Sequence, residues 1–157
     1  MKGINIAEQC HVVNVLPPID AASTARTGDW FNLKNYAHCT LIVTLGASEG
    51  GIALTVDEAT NSSGSSNAAI TFDYWAETTA AGDTLAAKVT ATAGGFVIGS
   101  ANSQTFVIEI DASKLTDGKP YMSLQLDNGG TAGCLYSCVA VLSGSRFAQA
   151  QTPTAIT

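Results

Sequence analysis

The chain has 157 residues, 7 basic against 13 acidic side chains and a formal charge of −6. Charged residues make up 13% of it, about half the usual share of roughly 25% in soluble domains, so charge-driven disorder is excluded. The length suits one domain, and a pI near 4.6 excludes the basic stripe of a nucleic-acid binder. Ala, Gly, Ser and Thr dominate the composition, which predicts a bland, neutral surface that tolerates close packing against other subunits.

The N-terminus, Met1-Lys-Gly-Ile-Asn-Ile6, lacks the apolar core of a secretory signal. The longest uninterrupted aliphatic run, Val139 to Leu142, is far short of the roughly 18 residues of a membrane span. The expectation is a soluble protein of a cytosol-like compartment, with no membrane partner.

Taken in chain order, alternation of apolar and polar residues predicts strands near 10–15, 39–45, 52–58, 69–75, 86–92, 96–99, 104–111, 120–127 and 134–142. The pattern is clearest in Phe106-Val-Ile-Glu-Ile110, where Phe106, Ile108 and Ile110 share one face and Val107 and Glu109 the other. Met122-Ser-Leu-Gln-Leu126, Leu54-Thr-Val-Asp57 and Ile70-Thr-Phe-Asp-Tyr74 repeat it, the period of half-buried antiparallel strands. Turns rich in Gly, Asn, Asp and Ser separate these runs, at Gly46 to Gly51, Asn61 to Asn67, Gly94-Gly95 and Asp117-Gly-Lys-Pro120. Short strands at such spacing indicate an all-β, single-domain, two-sheet β-sandwich of jelly-roll type. Its body would span 1–142.

Three segments read differently. Asp83 to Ala93 fits a short capped helix or a strand, and its Thr and Val content favours strand. Asp111-Ala-Ser-Lys-Leu115 reads as one helical turn opened by an Asp cap. The stretch 16–28, beginning Leu16-Pro-Pro-Ile-Asp20, has no period, and a Pro pair is barred from a central strand. It is expected to be an extended arm or a long crossover between Val15 and Trp30. The tail 143–157, with the apolar anchors Phe147 and Ile156, is expected to lie frayed or on a neighbour.

Chemistry is sparse. Cys10, Cys39, Cys134 and Cys138 read as buried reduced thiols, since Cys134 and Cys138 on one strand stand about 13 Å apart, beyond disulfide reach. Cys10-His11 and His38-Cys39 would each split across a sheet, which disfavours metal. No nucleophile elbow or phosphate loop occurs, and Asp57-Glu58 reads as a solvated strand end rather than a facing carboxylate pair. Arg26 and Arg146 are the only arginines, too few for a phosphate track. The loop Ala59 to Asn67 reads as a neutral, solvent-facing tip. Among the aromatics, Tyr74 and Trp75 must face opposite sides of their strand, leaving one in the core and the other exposed or covered by a partner. No catalytic residue, metal or cofactor is expected.

Two stretches resemble segments of small virion proteins of tailed bacteriophages. One is Val13 to Tyr36, with its Leu16-Pro-Pro-Ile-Asp20 and Thr27-Gly-Asp-Trp-Phe31 segments. The other is Ile108-Glu-Ile-Asp-Ala-Ser-Lys-Leu-Thr-Asp-Gly-Lys-Pro-Tyr121. The whole layout is similar to jelly-roll cement, or decoration, proteins of phage heads. That resemblance implies a structural, non-enzymatic protein assembled in the host cytoplasm onto the capsid exterior. Its partners would be the major capsid protein and its own copies, as a homodimer or homotrimer. Leu16, Pro17, Pro18, Ile19, Arg26, Trp30, Arg146, Phe147 and Ile156, in the two arm candidates, are the expected partner contacts. The rival readings are a carbohydrate-binding jelly roll, with Trp30 or Trp75 as stacking platform, and another virion part such as a tail or head fibre.

Overall fold

A computed structural model describes residues 3–20, 24–48, 51–79, 81–100, 102–127, 133–146 and 155–156. One helical turn, α1 (Ile6–Gln9), precedes twelve strands: β1 (His11–Asp20), β2 (Arg26–Thr27), β3 (Phe31–Asn32), β4 (Tyr36–Ser48), β5 (Ile52–Ala59) and β6 (Ala68–Ala69) come first. They are followed by β7 (Phe72–Glu77), β8 (Val89–Ala91), β9 (Phe96–Ile98), β10 (Gln104–Asp111), β11 (Tyr121–Asp127) and β12 (Cys134–Ser145). A 3-10 turn, Ala112–Lys114, sits between β10 and β11.

The first sheet has the order β1-β12-β4-β10-β7-β8. The second is a central pair, β11 and β5, with short strands on each outer side: β2 and β3 against β11, β6 and β9 against β5. All pairings are antiparallel. With each flanking pair taken as one interrupted strand, the chain passes between sheets in the eight-strand jelly-roll order, and β7-β8 widens the first sheet beyond β10. The expected two-sheet sandwich is therefore the observed fold.

Alternation explains the layering. In β10 the burial runs Phe106, Ile108 and Ile110 inward with Val107 and Glu109 outward, and β4 sends Cys39, Leu41, Val43 and Leu45 inward. From the other sheet Leu54, Val56, Met122, Leu124 and Leu126 meet them. Each such side chain, once fully buried, contributes about 1.5–3 kcal/mol. At one end Tyr74 stacks on Phe96 at 4.0 Å, and Phe96 leans on Phe72 and Phe106. Cys39, Cys134 and Cys138 are buried free thiols and Cys10 is half-buried. Burial pushes Cys138 up to about 12, so these thiols behave as small apolar side chains.

Several expectations are corrected. Leu16–Asp20 is strand: β1 runs on through Pro17 and Pro18, pairing Leu16 with Cys138 and Ile19 with Tyr136 across a register shift. An edge strand and a bulge are where Pro is tolerated. After β2 the chain is stitched down, with Gly28 N–H donating to Leu124 O and Asp29 N–H to Val15 O, both at 2.8 Å. A Cβ on Gly28 would meet Val15 Cγ1 at 2.5 Å, so the close approach requires glycine. The expected strand at 69–75 is two strands in different sheets, β6 and β7. Of the 83–93 segment only Val89–Ala91 is strand and none is helix. Asp111 does precede the helical turn, but its side chain makes no cap hydrogen bond; it binds His38 instead. At the tail, β12 continues to Ser145, past the expected boundary at 142.

Candidate interaction face

The outer face of the first sheet is built by cross-strand register, and its side chains fall into parallel rows about 6.7 Å apart. The middle row is Val139, Ile42, Val107 and Trp75, directly opposite one another on β12, β4, β10 and β7, with Asn14 of β1 at its end. These four span about 14 Å of sheet. Ile42 is 36% exposed, and Val107, Val139 and Trp75 are half-buried. Trp75 thus lies outside while Tyr74 packs inside, the split expected of neighbours on a strand.

On one side lies a hydroxyl row: Ser137, Thr44 and Thr105, with Ser137 and Thr44 hydrogen-bonded at 2.7 Å. On the other side lies a charged row. Glu109 stands opposite Thr40 and Asp73, and Asp111 opposite His38. His38 Nε2–H donates to Glu109 Oε2 at 2.5 Å and Nδ1–H to Asp111 Oδ1 at 2.8 Å, while Thr40 Oγ1–H donates to Glu109 Oε2 at 2.7 Å. With a carboxylate at each ring nitrogen, the arrangement is fully satisfied when both nitrogens donate, as they do in the imidazolium. Burial pulls the His38 pKa down, but the hydrogen bonds and charges of Asp111 and Glu109 outweigh it, and the net value lies above 6.5. Asp73, bonded by Thr90 and facing Lys88, is held below the ordinary carboxylate range. The face therefore offers an apolar ridge bordered by neutral hydroxyls and by paired charges. Such a surface has the chemistry of a contact with another protein.

The residues expected to form arms are dispersed rather than gathered. Leu16 is 7% exposed and packs in the core rather than standing out on an arm. Pro17 and Pro18 are exposed and Ile19 is half-buried along the β1 edge. Arg26 is half-buried in β2, its Nε sealed from solvent without a hydrogen bond. Trp30 is half-buried against the 60–67 loop, where Gly64 approaches so closely that a Cβ would meet the indole at 2.6 Å. Ala155 is fully buried and its carbonyl accepts from Asn32 N–H at 2.7 Å, while Ile156 is 44% exposed. Arg146 is exposed, its N–H bonded to Asn35 O. Phe147 lies outside the described residues.

Asp57 and Glu58 are not solvated. They are 8% and 2% exposed and point to opposite sides of β5. Glu58 accepts from Thr116 N–H at 2.7 Å and faces Lys119 Nζ at 3.4 Å. Asp57 accepts from Gln125 Nε2 at 2.8 Å and Asn67 Nδ2 at 3.3 Å. Cys39 points into the core while His38 points out, so the Cys-His dipeptide is split as expected. Among the described residues no group of three or more His, Cys, Asp or Glu is placed to hold a metal ion. None of their helices is long and apolar enough to cross a membrane.

Sequence reasoning missed the apolar row and the His38 cluster. A signal for each was present: Val107 and Trp75 are large apolar residues at outward positions of alternating strands, and Glu109-x-Asp111 puts two carboxylates on one face. No protein-family model matches the chain, and no curated protein matches it.

Proposed function

We propose that this is a non-enzymatic virion protein that decorates the outside of an icosahedral phage head and stabilises the shell by binding the major capsid protein. The apolar row through Trp75, bordered by hydroxyls on one side and paired charges on the other, is the observation that supports this reading, beside the resemblance of the Val13–Tyr36 and Ile108–Tyr121 stretches to phage virion proteins. A cement protein needs many equal, non-catalytic contacts, and copies joined as a homodimer or homotrimer at a symmetry axis add their affinities through multivalency. A large aromatic with apolar neighbours is the arrangement that concentrates binding energy in such contacts.

Co-sedimentation with heads lacking the protein tests it. Wild type is expected to bind saturably, and Trp75→Ala is expected to weaken binding by about 10-fold or more, since anchor residues of this kind are worth about 2 kcal/mol. The same substitution on a half-buried outer position should leave the fold intact. Wild type that fails to bind such heads overturns the proposal. Trp75 fluorescence quenched by neutral glycans, with no head binding, would replace it by the carbohydrate-binding reading.

A further inference from the structure

At one end of the sandwich a cleft of about 450 Å³ opens between the turn after β3, the end of β12 and the 112–120 loop. Three of the chain's seven basic residues line it, Lys34, Lys119 and Arg146. In a chain of charge −6 that gathering concentrates positive potential at one spot. Lys119 is neutralised in part by buried Glu58, at 3.4 Å. Lys34 and Arg146 form no ion pair among the described residues.

The cleft is preformed. Glu58 binds the backbone of Thr116 from below, Leu33 N–H donates to Pro120 O at 2.9 Å, and Lys119 N–H donates to Thr116 O at 2.9 Å. Lys34 N–H is tied to Asn32 Oδ1 at 2.7 Å and Arg146 N–H to Asn35 O at 2.9 Å, so both cation-bearing backbones are fixed at its rim. Leu33, Leu115 and Pro120 give it an apolar wall.

The remaining lining selects the ligand. The hydroxyls of Thr60 and Thr116 already donate to Ser65 O and to Glu58, which leaves their oxygens to accept, and Asp117 adds a carboxylate to the same cleft. A bare multivalent anion such as phosphate would answer the cations but leave Asp117 and the threonine oxygens without hydroxyl donors. A ring that carries one acid group for the cations, hydroxyls for Asp117 and the threonines, and a C–H face for the apolar wall satisfies every group. The volume, within the roughly 300–1,000 Å³ of small-molecule sites, admits about one or two sugar rings. We infer that this cleft is a binding site for an acidic sugar of the hexuronate type, with Lys34 and Arg146 holding its carboxylate and Asp117 accepting from its hydroxyls. This site is independent of the head-binding reading and of any aromatic platform.

Amide chemical-shift titration of the full chain with D-glucuronate, D-glucose and inorganic phosphate tests it. Glucuronate is expected to shift Leu33, Lys34 and residues 116–119, with an affinity at least about 10-fold above glucose and phosphate, the value of one charged hydrogen bond. The double variant K34Q/R146Q, both positions exposed and without ion-pair partners, is expected to melt like wild type and to lose about 10-fold or more in glucuronate affinity. Asp117→Asn should raise phosphate binding relative to glucuronate. Absence of shifts with glucuronate, equal binding of glucose, equal binding of phosphate, or an unchanged K34Q/R146Q variant would each overturn the inference. Head binding by wild type is read separately and bears on neither result.

Discussion

Replacing His38 with Gln should destabilise the protein in mild acid and scarcely at all in alkali. The ring bridges β4 to Glu109 and Asp111 at the end of β10. A hydrogen bond to a charged group is worth about 1.5–3 kcal/mol when buried, and an exposed ion pair about 0–1 kcal/mol. The side chains of His38 and Glu109 are each 31% exposed and that of Asp111 63%, so the Asp111 contact sits at the bottom of this range and the Glu109 contact in its middle. Together they amount to roughly 1–2 kcal/mol, or a melting-temperature difference of about 2–8 °C for a domain of this size. Because the folded-state pKa of His38 is raised above 6.5, its contribution is complete below the unfolded value and is lost as pH rises through the folded one. Thermal melts by circular dichroism at pH 5.5 and pH 9.5, on wild type, H38Q, E109Q and the double variant, measure it. The penalty of H38Q should appear at the lower pH and shrink at the higher, and the two single penalties should not add. A penalty of equal size at both pH values, or strict additivity, would refute the imidazolium clamp.

Two further predictions concern the frame. Glu58→Ala strands Thr116 N–H and Lys119 and should cost about 2–4 kcal/mol in urea unfolding; Glu58→Gln, whose amide oxygen still accepts from Thr116, should cost roughly half as much. Burial alone would raise the Glu58 carboxyl, but Thr116 and Lys119 hold it below 4.5, so its stabilisation is present above the unfolded value and the gap between wild type and E58Q should close as pH falls through the folded one. Gly95 has φ +68°, and a Cβ there would lie 1.9 Å from Leu54 O, so Gly95→Ala should cost about 3 kcal/mol or more. Gly99→Ala, with nothing within 4 Å, should melt within about 2 °C of wild type, and similar losses at both positions would contradict the geometry.

What could be read from the chain was whatever depends on near neighbours. Phe106, Ile108 and Ile110 announce their strand and its inward face, and 104–111 is the observed extent of β10. Tyr74 and Trp75 divide as alternation requires. The failures share a cause: they depend on partners far along the chain. Glu58 is buried because Thr116, 58 residues away, donates to it, and His38 is clamped by groups 71 and 73 residues on. Pro17 and Pro18 rule out a central strand, yet nothing local reveals that β1 is an edge with a bulge waiting for them. The alternation from Ile70 to Tyr74 conceals a passage between sheets, since a strand that changes layers keeps its period. The outer-face row needed the register of four strands before Val139, Ile42, Val107 and Trp75 could be seen as neighbours.

The proline pair in β1 also governs how copies of the molecule can meet. Pro17 and Pro18 have no N–H to give, and the register shifts between Asn14 and Ile19 interrupt the regular ladder of β1. The opposite margin is β8, three residues long. Both features shorten the run of edge backbone on which another strand could pair. Where copies meet, broad faces and loops are favoured over strand pairing at these two rims.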